Sequence, residues 1–128
     1  MIKKLLFLLC FISFSYGQVQ SPEQFLGYPL GSQFTRHHRV VEYYKYLAAE
    51  ASGQVALEKY GETNEGRELY LVFIGTPEHI ENREQLRQKH ISSLNQKGTS
   101  DLALVWLSYN VHGNESVSTE ASMQTAYE

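Results

Sequence analysis

The stretch "LALVWLSY", residues 102–109, limits what this chain can fold into more than any other. In an extended chain, successive side chains point to opposite faces. Leu104 and Trp106 then share one face, and Ala103, Val105 and Leu107 the other. Both faces are apolar, so a strand built from this stretch, expected over 101–112, belongs inside a sheet covered on both sides. Neighbours are on offer upstream. "QVALEKYGET" (54–63) and "RELYLVFIG" (67–75) carry strand-type alternation, and "NEG" (64–66) between them is turn chemistry, which predicts a hairpin. The connection 76–98 holds a polar helix over 82–95 closed by Gly98. It is long enough for a crossover, so strands 67–75 and 101–112 are expected to run parallel.

"TRHHRVVEYYKYLAAEAS" (35–52) reads as a helix, with Thr35 as cap and Gly53 as stop. Val40, Val41, Tyr44, Leu47, Ala48 and Ala51 form its apolar stripe. Another helix begins near Ser116 or Ser118, with Val117, Ala121, Met123 and Ala126 as its expected buried side. Residues 18–34, with Pro22 and Pro29, read as an irregular lead-in that packs by its aromatics. The expected fold class is α/β, as part of a mixed β-sheet with flanking helices. It is expected to be incomplete. A strand as apolar as 102–109 calls for a partner on each edge, and the last helical pattern is still running at Glu128.

The first residues have a different layout. "MIKK" is basic, "LLFLLCFISF" is apolar, and "SYG" sets Ser15 and Gly17 where a signal peptidase checks for small residues. Residues 1–17 are therefore expected to be a secretory signal peptide, with Gln18 first in the mature chain. The apolar core is too short for a bilayer-spanning helix of roughly 20 residues, so no stable membrane anchor is expected after cleavage. Export to the periplasm, the cell surface or the medium follows. Cys10 is the single cysteine. The mature chain then has neither a disulfide nor a catalytic thiol, which suits an oxidising compartment. The net charge is −3, and losing Lys3 and Lys4 takes it to −5, which argues against nucleic acid as a partner.

Directly after the apolar stretch comes "NVHGNE", residues 110–115. His112 and Glu115 are three apart, so on a helical turn they project from one side and can reach one ion. Zn²⁺ accepts imidazole nitrogen and carboxylate oxygen at roughly 2.0–2.2 Å. Gly113 leaves room beside them. The place also suits a ligand, because in open α/β sheets ligands bind beyond the carboxyl ends of strands. On spacing alone, a structural histidine and a glutamate facing a helix dipole stay open as readings. The other candidates are weaker. His37 and His38 are adjacent and diverge by about 100° on a helix. His79 and His90 flank a polar helix. Ser108, Ser116 and Ser118 have no nucleophile motif around them, and a glycan on Asn114 would obstruct the metal pair.

"VWLSYNVHGNE" resembles the first metal-binding segment of the zinc metallocarboxypeptidases, carboxypeptidase A/E-like. Its Gly113-Asn114 step is similar to the regulatory branch, where the digestive branch has Ser-Arg. "YGETNEGRELYLVFIG" (60–75) resembles the family's strand-turn-strand, with Gly61, Thr63, Glu65, Gly66 and Arg67 in its pattern. The resemblance implies that 35–128 is the N-terminal part of a zinc carboxypeptidase-like catalytic domain. His112 and Glu115 would be two of three protein ligands to one Zn²⁺, with the third downstream of Glu128. It implies hydrolysis of C-terminal peptide bonds by metal-activated water, with peptide or protein C-termini as substrate. Binding needs a neutral His112 and an ionised Glu115, so acid is expected to release the metal. No catalytic or substrate-binding residue of the family falls within the chain by motif. Alternatives are a zinc amidohydrolase or deacylase of the same superfamily, and a degenerate relative acting as a non-catalytic binding module.

Overall fold

A computed structural model describes residues 18–96 and 102–128. The expected signal peptide over 1–17, Gly98 as the stop of the polar helix, and the first residue of the expected third strand lie outside them. Along the chain come α1 (Pro22–Leu26), α2 (His37–Glu50), β1 (Val55–Glu62), β2 (Glu68–Ile74), α3 (Pro77–Glu81), α4 (Arg83–Gln96) and α5 (Val117–Tyr127). Helices flank a two-stranded antiparallel sheet, an incomplete α/β arrangement. Among the described residues no helix is long and apolar enough to cross a membrane.

The lead-in is more ordered than its prolines suggest. Ser21 and Gln24 form a reciprocal capping box around α1, and Pro22 occupies the first turn, where its missing N–H costs nothing. Gly27 closes the helix at φ 81°, a left-handed conformation that glycine adopts without a Cβ clash. This short helix presents Phe25 to α2, with ring centroids 5.1 Å from Tyr43 and 5.3 Å from Tyr46. Such pairs add about 0.5–1.5 kcal/mol each beyond the area they bury.

Helix α2 lies at the centre of the fold, touching α1, β1 and α5. Its buried stripe is centred one position away from the expected one. Tyr43 is fully buried with Leu47, while Val40, Tyr44, Ala48 and Ala51 pack around them. Tyr43 lies outside the expected stripe, although it is fully buried. The structure satisfies its hydroxyl, which donates to the Gln20 carbonyl at 3.1 Å. Burial pushes the Tyr43 phenol well above its ordinary pKa, helped by the nearby Tyr127, Tyr46 and Tyr44. Thr35 does not cap α2. Arg36 holds the N-cap position without a side-chain bond, and Ala51 rather than a left-handed Gly53 ends the helix.

The hairpin forms as expected. Val55 pairs with Ile74, and the register runs to Glu62 opposite Glu68. A bulge falls at Tyr60, because Lys59 faces Tyr70 while Gly61 faces Leu69. The turn closes through Thr63, whose N–H donates to the Arg67 carbonyl at 2.9 Å and whose Oγ1 accepts from the Arg67 N–H at 3.1 Å. Gly66 supplies the left-handed residue at φ 74°. After β2 the polar helix is in two pieces. Thr76 caps α3 by accepting from the His79 N–H, and the chain breaks at Asn82 before α4.

The expected third strand over 101–112 is not formed. Residues 103–110 carry no helix or strand, and nothing beyond β2 joins the sheet, so the expected parallel pairing is absent among the described residues. The physical reason is that alternation states only a preference. A strand exists only where cross-strand hydrogen bonds form; β2 pairs on one edge with β1, and residues 103–110 make no ladder to its other edge. Leu104, Val105, Trp106 and Leu107 are consequently exposed, at 54, 79, 77 and 58%.

α5 buries Met123 and packs Ala126 on the core as expected, but Val117 and Ala121 are exposed and polar residues take their place. Val117 is 79% exposed, whereas Thr119, Glu120, Ser122 and Met123 are buried. Polar groups can be buried when they are hydrogen-bonded, and these are. The Glu120 carboxylate accepts from the Gly31 N–H and from the Thr35 hydroxyl, both at 2.5 Å. Ser122 donates to the Thr119 carbonyl at 2.7 Å. Thr35, expected as a helix cap, instead ties the lead-in to α5.

Candidate metal centre

The segment between the exposed apolar stretch and α5 is a short hydrogen-bonded loop. Asn110 opens it at φ 54°, the single non-glycine residue with positive φ among those described. Two residues on, the His112 carbonyl accepts from the Glu115 N–H at 3.1 Å, closing one tight turn. Ser116 then leads into α5. A Cβ added to Gly113 would meet nothing within 4 Å, and its φ is not positive. Neither packing nor backbone shape therefore calls for its smallness.

The turn puts His112 and Glu115 on the same side. His112 Nδ1 stands 3.2 Å from Glu115 Oε2, with the two side chains 68 and 61% exposed. Two donors held at roughly 2.0–2.2 Å by one tetrahedral ion stand about 3.4 Å apart. The observed separation is close to that, and imidazole nitrogen with carboxylate oxygen is a donor set that zinc accepts. The pair suits one zinc ion by donor chemistry and by lying on one side of the turn, and its separation is also that of a direct imidazole–carboxylate contact. Among the described residues, no group of three or more His, Cys, Asp or Glu side chains gathers around one point. The pair by itself is two-thirds of the three-ligand set normal for catalytic zinc.

The remaining histidines are elsewhere. His37 Nε2 lies 3.1 Å from the Glu68 carbonyl oxygen, and His38 is exposed on the next position of α2. His79 is half-buried in α3, and His90 Nδ1 is buried in α4 without a hydrogen-bond partner. A cavity of about 320 Å³ opens at the far end of α5, lined by Val19, Leu47, Val55, Ile74, Ala126 and Tyr127 among others; neither His112 nor Glu115 reaches it.

Residues that sequence reasoning passed over hold the loop in place. The Asn110 side-chain amide donates to Thr119 Oγ1 at 2.5 Å, and its backbone N–H donates to Ser118 Oγ at 3.1 Å. Ser118 Oγ also lies within reach of Asn110 Oδ1 and of the Glu115 carbonyl, and donates to one of them. The signal was available in part, since asparagine before a turn tolerates the left-handed region. The partners on α5 could not be read from spacing.

A comparison with protein families matches residues 40–128 to the family described as zinc carboxypeptidase. No curated protein and no solved structure matches the chain. The matched span holds the strand-turn-strand, the His112–Glu115 turn and α5 together. The family is one of zinc-dependent peptidases, and this chain, over all but its first 39 residues, belongs to it.

Proposed function

We propose that this protein is an exported, zinc-dependent metallocarboxypeptidase acting on peptide or protein C-termini, with His112 and Glu115 as two of the three protein ligands to one zinc ion. The observation that carries the reading is the 3.2 Å approach of His112 Nδ1 to Glu115 Oε2 across one turn, within the span matched to the family. By its resemblance to the family, the third ligand is expected downstream of Glu128. Export is supported by the basic, apolar and small-residue layout of 1–17.

When bound, zinc supplies Lewis-acid polarisation of the scissile carbonyl and makes water more acidic. The chain's own residues have other tasks. His112 offers an imidazole nitrogen, and Glu115 a carboxylate that offsets part of the ion's charge. The Glu115 N–H to His112 carbonyl bond fixes the spacing between them. Their exposure leaves the outer side of the pair open to a peptide end.

Elemental analysis of the protein extended through its third ligand tests the reading. About one zinc per chain is expected, with most of it lost in His112→Ala. Zinc content that does not respond to that change overturns the assignment. Release of a free amino acid from a peptide with a free C-terminus, but not from its amidated form, separates a carboxypeptidase from a deacylase.

A further inference from the structure

His112 and Glu115 are both largely exposed, so packing does not hold them in aim. What holds them is the backbone on which they stand, and that backbone is anchored at one point. Asn110 adopts φ 54°, a region that asparagine enters more readily than other side-chain-bearing residues. From there its amide spans the loop to the first turn of α5, donating to Thr119 Oγ1 at 2.5 Å. Thr119 is a firm anchor, being buried on the same helix as Glu120, which is tied to Gly31 and Thr35, and as Met123, which is fully buried in the core. Ser118 relays the connection. It accepts from the Asn110 N–H at 3.1 Å and reaches the Glu115 carbonyl at 3.0 Å. Glu115 in turn donates its N–H to the His112 carbonyl at 3.1 Å. The single Ser118 hydroxyl proton serves either Asn110 Oδ1 or the Glu115 carbonyl, so Ser118 lies against both ends of the loop, and with that proton turned to Glu115 a path of hydrogen bonds runs from Asn110 through α5 to Glu115 and on to His112.

We infer that Asn110 is the positioning residue of the His112–Glu115 pair, setting its affinity for zinc through Ser118 and Thr119. The inference rests on the metal reading proposed above and adds what presets the pair's geometry before the ion arrives. Pre-setting matters because a loop that must be ordered by its ligand spends binding free energy on that ordering. Hydrogen-bond partners behind metal ligands typically change affinity 10–100-fold when removed.

Zn²⁺ alone, titrated into the protein extended through its third ligand and followed on the backbone amide signals of Gly113 and Asn114, tests this, with thermal melting measured in parallel. Asn110→Gly keeps the left-handed backbone and removes the amide. Ser118→Ala removes the relay and leaves Asn110 intact. Both are expected to weaken zinc binding about 10-fold while moving the melting midpoint little, because the loop is exposed. His112→Ala separates the two readings. If it leaves the amide response unchanged, or if the unaltered chain shows no response, the metal pair itself is wrong and the inference falls with it. If His112→Ala abolishes the response but Asn110→Gly and Ser118→Ala bind as the unaltered chain does, the pair stands and the positioning role is overturned. Weaker binding matched by an equal loss of melting stability also overturns it, since that is the mark of general unfolding.

Discussion

Two regions of this molecule have reversed relations between sequence and burial. The face of α5 that packs on α1 and α2 is mostly polar, yet Thr119, Glu120 and Ser122 are buried beside Met123. Residues 104–107 are all apolar, yet each is more than half exposed. The difference teaches that burial follows partners rather than residue type. Glu120 finds a backbone N–H and a hydroxyl waiting for it, whereas Leu104 to Leu107 pair with neither free edge of the hairpin. Covering such side chains is worth about 1.5–3 kcal/mol each, so the exposed stretch is the part of the fold with most stability still to gain.

The sharpest way to break the comparison is to truncate one side chain in each region. Leu47 is 2% exposed in the core, and Leu47→Ala is expected to cost about 2–5 kcal/mol in urea unfolding. Trp106→Ser, at a position 77% exposed, is expected to stay within about 0.5 kcal/mol. A loss above about 1 kcal/mol from Trp106→Ser would show that 102–109 is covered in solution.

Glu120 tests the polar half of the contrast. Glu120→Ala removes the acceptor of the Gly31 N–H and of the Thr35 hydroxyl, which keeps Tyr28 Oη at 2.8 Å, and is expected to destabilise by about 1 kcal/mol. Substitution without measurable cost would mean that water replaces the carboxylate and that the buried polar face is not built around it.

The smallest effect is expected at the surface of the hairpin. Tyr70, Lys45 and Lys59 hydrogen-bond the Glu68 carboxylate and hold its pKa down to about 2. A lowered folded value means that the stabilisation is present above the unfolded value, near 4.3, and is lost as pH falls toward about 2. Glu68→Gln should therefore flatten the pH dependence of the urea midpoint inside that window and lower the midpoint slightly at neutral pH. An acid slope of undiminished steepness would assign the dependence to other carboxylates.

The sequence made local features readable and relational ones only partly so. The hairpin came through because alternation and turn chemistry lie next to each other in 54–75, and α2 because its stripe repeats over several turns. α1 was hidden by two prolines, although Ser21 and Gln24 carry the capping-box spacing. The third strand misled because the same apolar alternation serves a strand with neighbours and a segment without them. At the candidate site, His112 and Glu115 were legible from their spacing and from what they can bind. Asn110 was not, because its role depends on Ser118 and Thr119 eight and nine residues away across the loop.

The bonds from Glu120 to Gly31 and Thr35 join residues 89 and 85 positions apart. During translation, at roughly 5–20 residues per second, the lead-in and α2 emerge on the order of several seconds before the helix that completes their packing. Until α5 joins them, the lead-in and α2 lack the partners that Glu120 and Met123 supply.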